Sequence, residues 1–396
     1  MEDLPPGFLS LGRGPRAPAP AFPTPPPLLD EIVEEILLRV PPSDPALLLR
    51  AAAVCRRWAG LATDAGFRRR YAGRHRAPPM LGYFGSLIDT AGSARFFPTT
   101  GASSFRPRIA DRCGYRAHDA RAGRVLLNRI APPSASASSR PQEAAAALVV
   151  WDPLTADRWD LPLLSRPQQV RSWNAAVVAS PLPGPFRVAF VGLDADQMFA
   201  HVYSSASGSW GEAAAATGAL PDDPAGDRLD ETMTGAQAGD AVYFALAGGT
   251  GVVRFHLGAR TLSIVPLPDR PYPARIVLRA MDGGGGGLGF AEVDLQSTLR
   301  IWAMDDAGQW VVSRAVELGG MQLPAQVSSV YYVVASADAA GVLFLCTNHG
   351  LYTYDLQSGH SIKVWSNRFQ DIVPYEGFYT PVLRRALTVE GPSAGA

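Results

Sequence analysis

The chain has 396 residues, enough for one small and one large domain, and its 36 basic residues balance its 36 acidic residues. Because the chain has no net charge, no overall field recruits nucleic acid or an anionic membrane, and neither is an expected partner. The three cysteines, Cys55, Cys113 and Cys346, lie far apart without a CxxC pair, which excludes a disulfide framework and fits a reducing compartment.

Residues 1–26 are rich in proline and poor in large apolar side chains. Such a segment buries too little apolar surface to fold, so the sequence predicts a disordered tail over residues 1–26. The tail has neither the basic start nor the apolar core of a secretion signal, and no run of about 18 apolar residues follows it. We therefore expect a protein of the cytoplasm, the nucleus or both.

The first predicted element is a helix of about three turns that ends before Pro41. Asp30 and Glu31 stand in its first turn, where the helix dipole favours carboxylates. Its apolar side chains are Leu28, Leu29, Ile32, Val33, Ile36, Leu37 and Val40. They cover an arc of about 180°, wider than the stripe of about 100° that one core requires. This width predicts two contact surfaces on one helix.

Shorter helices are predicted after the Pro41-Pro42 turn, which gives a unit of three to four helices. Ser43 is the expected cap of the second helix, and Thr63-Asp64 is the expected cap of the last one, which carries Phe67 and Tyr71 on one side. The helix between them is expected to hold Val54, Cys55, Trp58 and Leu61. A unit of about 45 residues buries little surface, so we expect it to lean on a partner, on the next domain or on both.

Four segments in fixed order give this region a family resemblance. They are the apolar run 28–40, the Pro41-Pro42 turn, the Val-Cys-Arg-Arg-Trp segment 54–58 and the Asp-Ala-Gly-Phe segment 64–67. In this combination the region resembles the F-box of large plant families. One departure is that Leu28-Leu29 stands where the family has Leu-Pro. The resemblance implies a helical F-box domain over residues 27–76.

In that family the F-box docks on a small Skp-type adaptor and through it on a cullin. The resemblance therefore implies the substrate-recognition subunit of a cullin-RING ubiquitin ligase of the SCF type. By motif position, the residues that would contact the adaptor or support the contacting surface are Leu28, Ile32, Ile36, Leu37, Pro41, Pro42, Val54, Cys55 and Trp58. The alternative is that they are only the core of a helical cap on the next domain, and the wide apolar arc favours docking.

From about residue 80 the sequence changes to short runs of Val, Phe, Tyr and Leu separated by Gly, Pro, Asp and Ser, which predicts an all-β domain over residues 80–390. A strand, turn and strand outline recurs there, and each copy contains one of the aromatic residues Trp151, Tyr203, Phe255, Trp302 and Tyr354. A period of about 50 residues with strands inside it is typical of propeller blades.

Apolar segments that precede the recurring outline are expected as the inner strands of their blades. They are Ala241–Leu246, Gly289–Val293 and Val342–Cys346. A sixth blade is expected to combine Leu81–Phe84 and Arg95–Phe97 with the segment Tyr375–Leu383, which would close the ring. The region resembles the kelch-like F-box-associated β-propellers of the same plant families. A sandwich or an irregular barrel is the alternative fold.

No arrangement of residues predicts catalysis. The six histidines show no HxH or HExxH spacing, no Gly-x-Ser-x-Gly elbow occurs, and acidic pairs such as Asp305-Asp306 stand in turn-like sequence. We therefore expect a non-catalytic receptor without metal or cofactor, whose target protein the sequence leaves unidentified. The alternatives are a propeller enzyme of glycosidase or oxidase type with a helical cap, and a scaffold that binds the adaptor without delivering a substrate.

Lysine is almost absent from the composition. Lys363 is the one lysine among the 36 basic residues. One interpretation is that a ligase receptor gains by lacking acceptor lysines of its own. The other is GC-rich coding, since Ala, Gly, Pro and Arg are all abundant, and this second interpretation is favoured.

Overall fold

The fold is described from a computed structural model of the whole chain. The residues that it describes are 28–87, 93–99, 105, 107, 111–130, 147–164, 170–179, 184–194, 197–215, 228–270, 275–281, 286–318, 332–366, 369–378 and 380. The predicted tail over residues 1–26 lies outside the described residues, and so does the end of the predicted β domain after residue 380.

Four helices form the start of the described chain: α1 Asp30–Leu38, α2 Pro45–Ala53, α3 Arg56–Thr63 and α4 Ala65–His75. The predicted cap of α4 is confirmed, since the Asp64 carboxylate accepts a hydrogen bond from the Phe67 N–H at 3.0 Å. The predicted cap of α2 is wrong by one residue. Asp44, rather than Ser43, accepts from the Ala46 N–H, because Pro45 occupies the first helical position.

The helical domain has a small apolar core of its own. It is built from Val33, Leu37, Leu38, Leu48, Ala62, Phe67 and Tyr71. The Tyr71 hydroxyl donates to the Val40 carbonyl oxygen at 2.9 Å, and a His75 ring nitrogen lies 2.9 Å from the Leu38 carbonyl oxygen. These two contacts hold the last turn of α4 against the end of α1. Among the described residues, none of the helices combines the length and apolar character needed to cross a membrane.

All further regular structure in the described chain is β-strand. The first eleven strands are β1 Met80–Leu87, β2 Ser93–Pro98, β3 Asp111–Cys113, β4 Tyr115–Arg121, β5 Arg124–Arg129, β6 Leu148–Trp151, β7 Arg158–Asp160, β8 Ser172–Val178, β9 Arg187–Leu193, β10 Met198–Ser204 and β11 Ser209–Trp210. The next seven are β12 Ala214–Ala215, β13 Ala236–Ala238, β14 Ala241–Ala245, β15 Gly251–His256, β16 Thr261–Pro266, β17 Val277–Ala280 and β18 Leu288–Val293. The last seven are β19 Thr298–Met304, β20 Trp310–Glu317, β21 Tyr332–Ala337, β22 Val342–Thr347, β23 Gly350–Asp355, β24 Ser361–Trp365 and β25 Phe369–Glu376.

The strands are arranged as a β-propeller. Three sheets are four-stranded meanders, β13 to β16, β17 to β20 and β21 to β24, and β8 to β12 form a sheet of five. The remaining sheet has eight strands in the described residues, in the order β25-β1-β2-β4-β5-β6-β7 with β3 beside β2. Within it, β2 and β4 are joined by the single parallel pair Ser93 and Tyr115.

The two ends of the β region meet in one sheet. Strand β25 pairs antiparallel with β1, with Gly82 opposite Tyr375 and Phe84 opposite Val373. This confirms that the Leu81–Phe84 segment pairs with the C-terminal part of the β domain. The predicted bounds are wrong, because the strand is Phe369–Glu376 and only Tyr375 and Glu376 of the predicted segment Tyr375–Leu383 belong to it. Residues 379 and 381–383 lie outside the described residues. Because the last strand is hydrogen-bonded to the first strand, the propeller is closed. The edges at which β1 and β25 meet are therefore paired.

The outline that recurs in the sequence corresponds to the third strand of each four-strand group and the hairpin that joins it to the fourth strand. Trp151, Tyr203, Phe255, Trp302 and Tyr354 lie in β6, β10, β15, β19 and β23. Each hairpin also contains one residue with positive φ, at Ala156, Gly208, Arg260, Gly308 and Gly359. The turns are therefore equivalent in backbone conformation as well as in position.

One part of the blade prediction is wrong. The predicted segments that begin at Ala241, Gly289 and Val342 form strands β14, β18 and β22, but these are the second strands of their groups. The first strands are β13, β17 and β21. Strand β17 neighbours both β13 and β21, and β25 neighbours both β21 and β4. The innermost positions thus belong to shorter and less apolar segments, which give a weaker sequence signal.

Side chains fasten the ends of these first strands to one another. The Asp119 carboxylate at the end of β4 accepts from the Val177 N–H in β8 at 2.8 Å. Asp338, next to β21, accepts from the Ala280 N–H of β17 at 2.8 Å. Glu376 at the end of β25 accepts from the Ala340 N–H at 2.7 Å. The first strands therefore end on one face of the propeller, where carboxylates bond neighbouring sheets together.

Candidate protein-binding face of the helical domain

Helix α1 has one buried and one exposed apolar face. Val33 and Leu37 are each 1% exposed and belong to the helical core. Ile32 and Ile36, each one position before those residues, are 46% and 42% exposed. A step of one residue turns the helix by about 100°, so these two pairs lie on different sides of α1. The wide apolar arc of the sequence is therefore divided between two surfaces.

The exposed face continues beyond α1. Leu28 and Leu29, which precede the helix, are 49% and 66% exposed. The Arg57 side chain of α3 donates to the Leu28 carbonyl oxygen and to the Asp30 carboxylate. These contacts bring the start of α3 beside the start of α1. Val54, 65% exposed, and the exposed Cys55 immediately precede α3 and extend the same region.

The predicted contact residues fall into three groups by exposure. Leu28, Ile32, Ile36, Pro41, Val54 and Cys55 are exposed. Pro42 and Trp58 are half-buried, and Trp58 packs against the helical core. Leu37 is buried, so it supports the surface from below. Leu29 and Leu47 are also exposed, although they are outside the predicted set. The sequence did not single them out, because an apolar side chain at helical spacing normally predicts a core position.

Val54 and Cys55 also differ in local structure from the sequence prediction. They lie between α2 and α3 rather than inside a helix, with Val54 as the C-cap of α2 and Cys55 as the N-cap of α3. The Cys55 side chain makes no capping hydrogen bond. A valine that is exposed at a helix junction gains no core contact there, which leaves its side chain available for a partner.

Ion pairs fix α1 on the other helices along its polar side. Arg70 of α4 contacts Glu34, and Arg74 of α4 lies 3.6 Å from Glu35. The arginine-rich side of α4 is thus partly used inside the domain. Exposed pairs of this kind contribute about 0–1 kcal/mol each, so they orient α1 more than they stabilise it.

The helical domain also rests on the propeller. Phe378, two residues after β25, packs on the helical core and meets the Tyr71 ring edge-to-face. Beside this contact lies a cleft of about 430 Å³, between Arg68 of α4 and propeller residues that include Asp152 and Trp159. The exposed apolar face of α1 lies about 100° around the helix from Val33 and Leu37, which are buried in the helical core.

The propeller has a second cleft, of about 340 Å³, where its first strands end. Asp119, Arg121, Asp338 and Glu376 line it. Burial raises the pKa of the Asp119 and Asp338 carboxyls and raises the pKa of Glu376 to about 7. The backbone amides already bonded to these carboxylates give them a structural role. Among the described residues, no group of three or more His, Cys, Asp or Glu side chains has an arrangement suited to a metal ion.

A comparison with protein families identifies the helical domain. Residues 30–72 match the model of the F-box-like family. This range begins with α1 and ends within α4, so the matched segment is the helical domain described above. The molecule therefore combines an F-box-like domain with a β-propeller, the combination expected of F-box substrate receptors in general. The kelch-like type of the propeller and a plant origin stay predictions.

Comparisons with other whole proteins add little. Curated proteins give no match. Among solved structures, a nidogen/laminin complex is 11% identical, with 74% of this chain and 97% of that chain covered and a TM-score of 0.41. The SapL1 lectin in complex with alpha methyl fucoside is 12% identical, with 73% and 96% covered and a TM-score of 0.40. The WD40 domain of SCAP from fission yeast is 12% identical, with 63% and 54% covered and a TM-score of 0.38. The strand pairing of this chain itself defines the propeller.

Proposed function

We propose that this chain is the substrate-recognition subunit of a cullin-RING ubiquitin ligase of the SCF type. In this proposal the F-box-like domain binds a Skp-type adaptor, and through it a cullin, while the propeller holds a target protein for ubiquitination. The chain itself performs no catalysis, and the complex works in the cytoplasm, the nucleus or both.

The observation that carries the proposal is the exposed apolar face formed by Leu28, Leu29, Ile32 and Ile36. Complete burial of one Leu or Ile side chain stabilises a complex by about 1.5–3 kcal/mol. These four residues are 42–66% exposed, so a partner that covers all of them gains about two such increments. Protein interfaces typically depend on a few central side chains of this kind. Ile32 and Ile36 are one helical turn apart and form the expected centre.

We infer that the propeller has six blades. The eight-stranded sheet divides into two groups of four, β25 with β1 to β3 and β4 to β7, because a single parallel residue pair links β2 to β4. Four further groups follow along the chain. The helical domain packs beside the end of β25, so the face where the first strands begin is the one free to receive a target.

Affinity purification of the full chain, compared with its Ile36→Lys variant, tests the proposal. A lysine at this exposed position should remove the adaptor and the cullin together, because a charged group cannot be buried in an apolar interface without a large cost. Proteins that remain bound to the variant are candidate targets. If the wild-type chain captures neither adaptor nor cullin, the proposal fails.

Leu295→Lys is the matched control. Leu295 is 69% exposed in the propeller, so its replacement also places a lysine on an exposed apolar position, but outside the helical domain. We expect this variant to keep the adaptor and the cullin. Loss of both partners in the control as well would show that capture does not depend on the face of α1, and the proposal would then have no support.

A further inference from the structure

We infer that Lys363 is the one side chain of these 396 residues that accepts ubiquitin when the complex modifies its own receptor. The inference rests on the proposed function and adds to it the site of modification. It starts from the composition, in which a single lysine stands among 36 basic residues, so that the other 35 (36 minus 1) are arginines.

The chemistry of the transfer separates these two residue types. A conjugating enzyme carries ubiquitin as a thioester, and the neutral amine of a lysine attacks its carbonyl carbon. A C–N bond forms, the C–S bond breaks, the amine gives up one proton, and the thiol of the conjugating enzyme leaves. An arginine guanidinium stays protonated and does not act as this nucleophile, so arginine supplies positive charge without an acceptor.

The position of Lys363 fits an acceptor. It lies in β24, which is the outermost strand in the order β21-β22-β23-β24, and its side chain is exposed. Its partner across the strands is Tyr352, and the Lys363 Nζ lies 5.9 Å from the centre of the Tyr352 ring. The ring supports the side chain while the amine stays at the surface, an arrangement typical of lysines that pack their stem on an aromatic residue.

The helical domain offers no competing amine. Apart from His75, its basic side chains are all arginines, at Arg39, Arg50, Arg56, Arg57, Arg68, Arg69, Arg70, Arg74 and Arg76. Ubiquitin transfer to a receptor side chain is therefore restricted to the outer edge of the propeller, and one residue decides whether the complex can mark its own receptor.

A reconstituted reaction tests the inference. The full chain is assembled with purified Skp-type adaptor, cullin, RING subunit, activating and conjugating enzymes, ATP, and a methylated ubiquitin that cannot form chains. We expect one conjugate on the wild-type chain, with the ubiquitin remnant on Lys363 in the mass spectrum. Lys363→Arg should abolish this conjugate while adaptor binding, measured in the same mixture, is unchanged.

A second variant tests whether a lysine on the outer strand of another sheet also accepts ubiquitin. Ser263 is exposed on β16, the outer strand of another sheet, so Lys363→Arg combined with Ser263→Lys returns an amine at a comparable place. We expect conjugation to return in this double variant, with the ubiquitin remnant on the substituted position of β16. A conjugate of undiminished yield on Lys363→Arg alone would overturn the inference.

Two other outcomes separate the inference from the function on which it rests. If the complex assembles and discharges ubiquitin to free lysine in solution, but the wild-type chain gains no conjugate, then Lys363 is not an acceptor and the proposed function stands. If the wild-type chain does not bind the adaptor, the proposed function fails and the inference fails with it.

Discussion

The rings of Tyr71 and Phe378 meet edge-to-face, with their centres 5.9 Å apart and their planes at 84°. Tyr71 belongs to α4 of the F-box-like domain, and Phe378 follows β25, the strand that closes the propeller. The core of the small domain is thus completed by a residue of the large one. A helical unit too small to be comfortably stable alone gains a second support in this way.

Replacement of Phe378 by alanine should loosen the helical domain selectively. A fully buried Phe contributes about 3–5 kcal/mol relative to Ala, and the half-buried Phe378 should contribute about 2 kcal/mol. Amide hydrogen exchange should therefore accelerate in α4, while strands such as β14 keep their protection. Ile362→Ala, which removes an exposed side chain from β24, is the control and should change neither region. Uniform acceleration through the whole chain would contradict a local role for Phe378.

Truncation of a side chain should destabilise the helical domain strongly on the buried face of α1 and only slightly on the exposed face. Leu37→Ala removes a buried side chain and should lower the free energy of unfolding of the helical domain by about 2–5 kcal/mol. Ile36→Ala removes an exposed side chain and should change it by less than about 0.5 kcal/mol. Urea denaturation followed by circular dichroism measures both. Equal destabilisation by the two variants would mean that α1 is not divided as described.

Glu376 should make the stability of the propeller depend on pH. Burial raises the pKa of this carboxyl from 4.5 to about 7, with the Asp338 carboxylate as a further cause and Arg121 acting in the opposite direction. An acid with a higher pKa in the folded chain binds its proton more tightly there. Its contribution to stability is therefore complete below about pH 4.5 and is lost as the pH rises through about 7.

Glu376→Gln removes that titration and leaves a carbonyl oxygen that can still accept from the Ala340 N–H. We expect the free energy of unfolding of the variant, relative to wild type, to rise between about pH 5 and about pH 8. Other buried carboxyls titrate in both proteins, so their contributions to the free energy of unfolding cancel in this difference. Denaturant titrations at the two pH values provide the measurement, and a constant difference would be evidence against the raised pKa.

The sequence predicted the features that depend on local chemistry. Pro41-Pro42 ended α1, Asp64 capped α4, and the spacing of Trp151, Trp302 and their counterparts located the hairpin that recurs in the propeller. These features follow from backbone restrictions, capping and repetition, which one sequence displays. The width of the apolar arc also predicted two contact surfaces on α1. One of them is confirmed as the face buried in the helical core, and the exposed apolar face stays a predicted contact surface.

Features that depend on tertiary contacts were harder to predict. The first strands β13 and β17 have only three and four residues, and the longer apolar strands after them gave the stronger signal. Phe378 follows a strand without any helical pattern, so nothing local relates it to α4. The sequence predicted Leu37 and Ile36 together as residues that contact the adaptor or support the contacting surface, because motif position alone does not separate these two roles.

The most direct test of the central claim is the affinity of the purified full chain for a purified Skp-type adaptor, measured by titration calorimetry. We predict tight binding by wild type, and a loss of about 100-fold or more in the Ile32→Lys, Ile36→Lys double variant, since two hot-spot positions cost at least about 3 kcal/mol together. Leu163→Lys and Leu295→Lys, which change exposed leucines of the propeller, should bind as wild type does. Equal affinity of the double variant and wild type would contradict the claim that the exposed face of α1 is the docking surface.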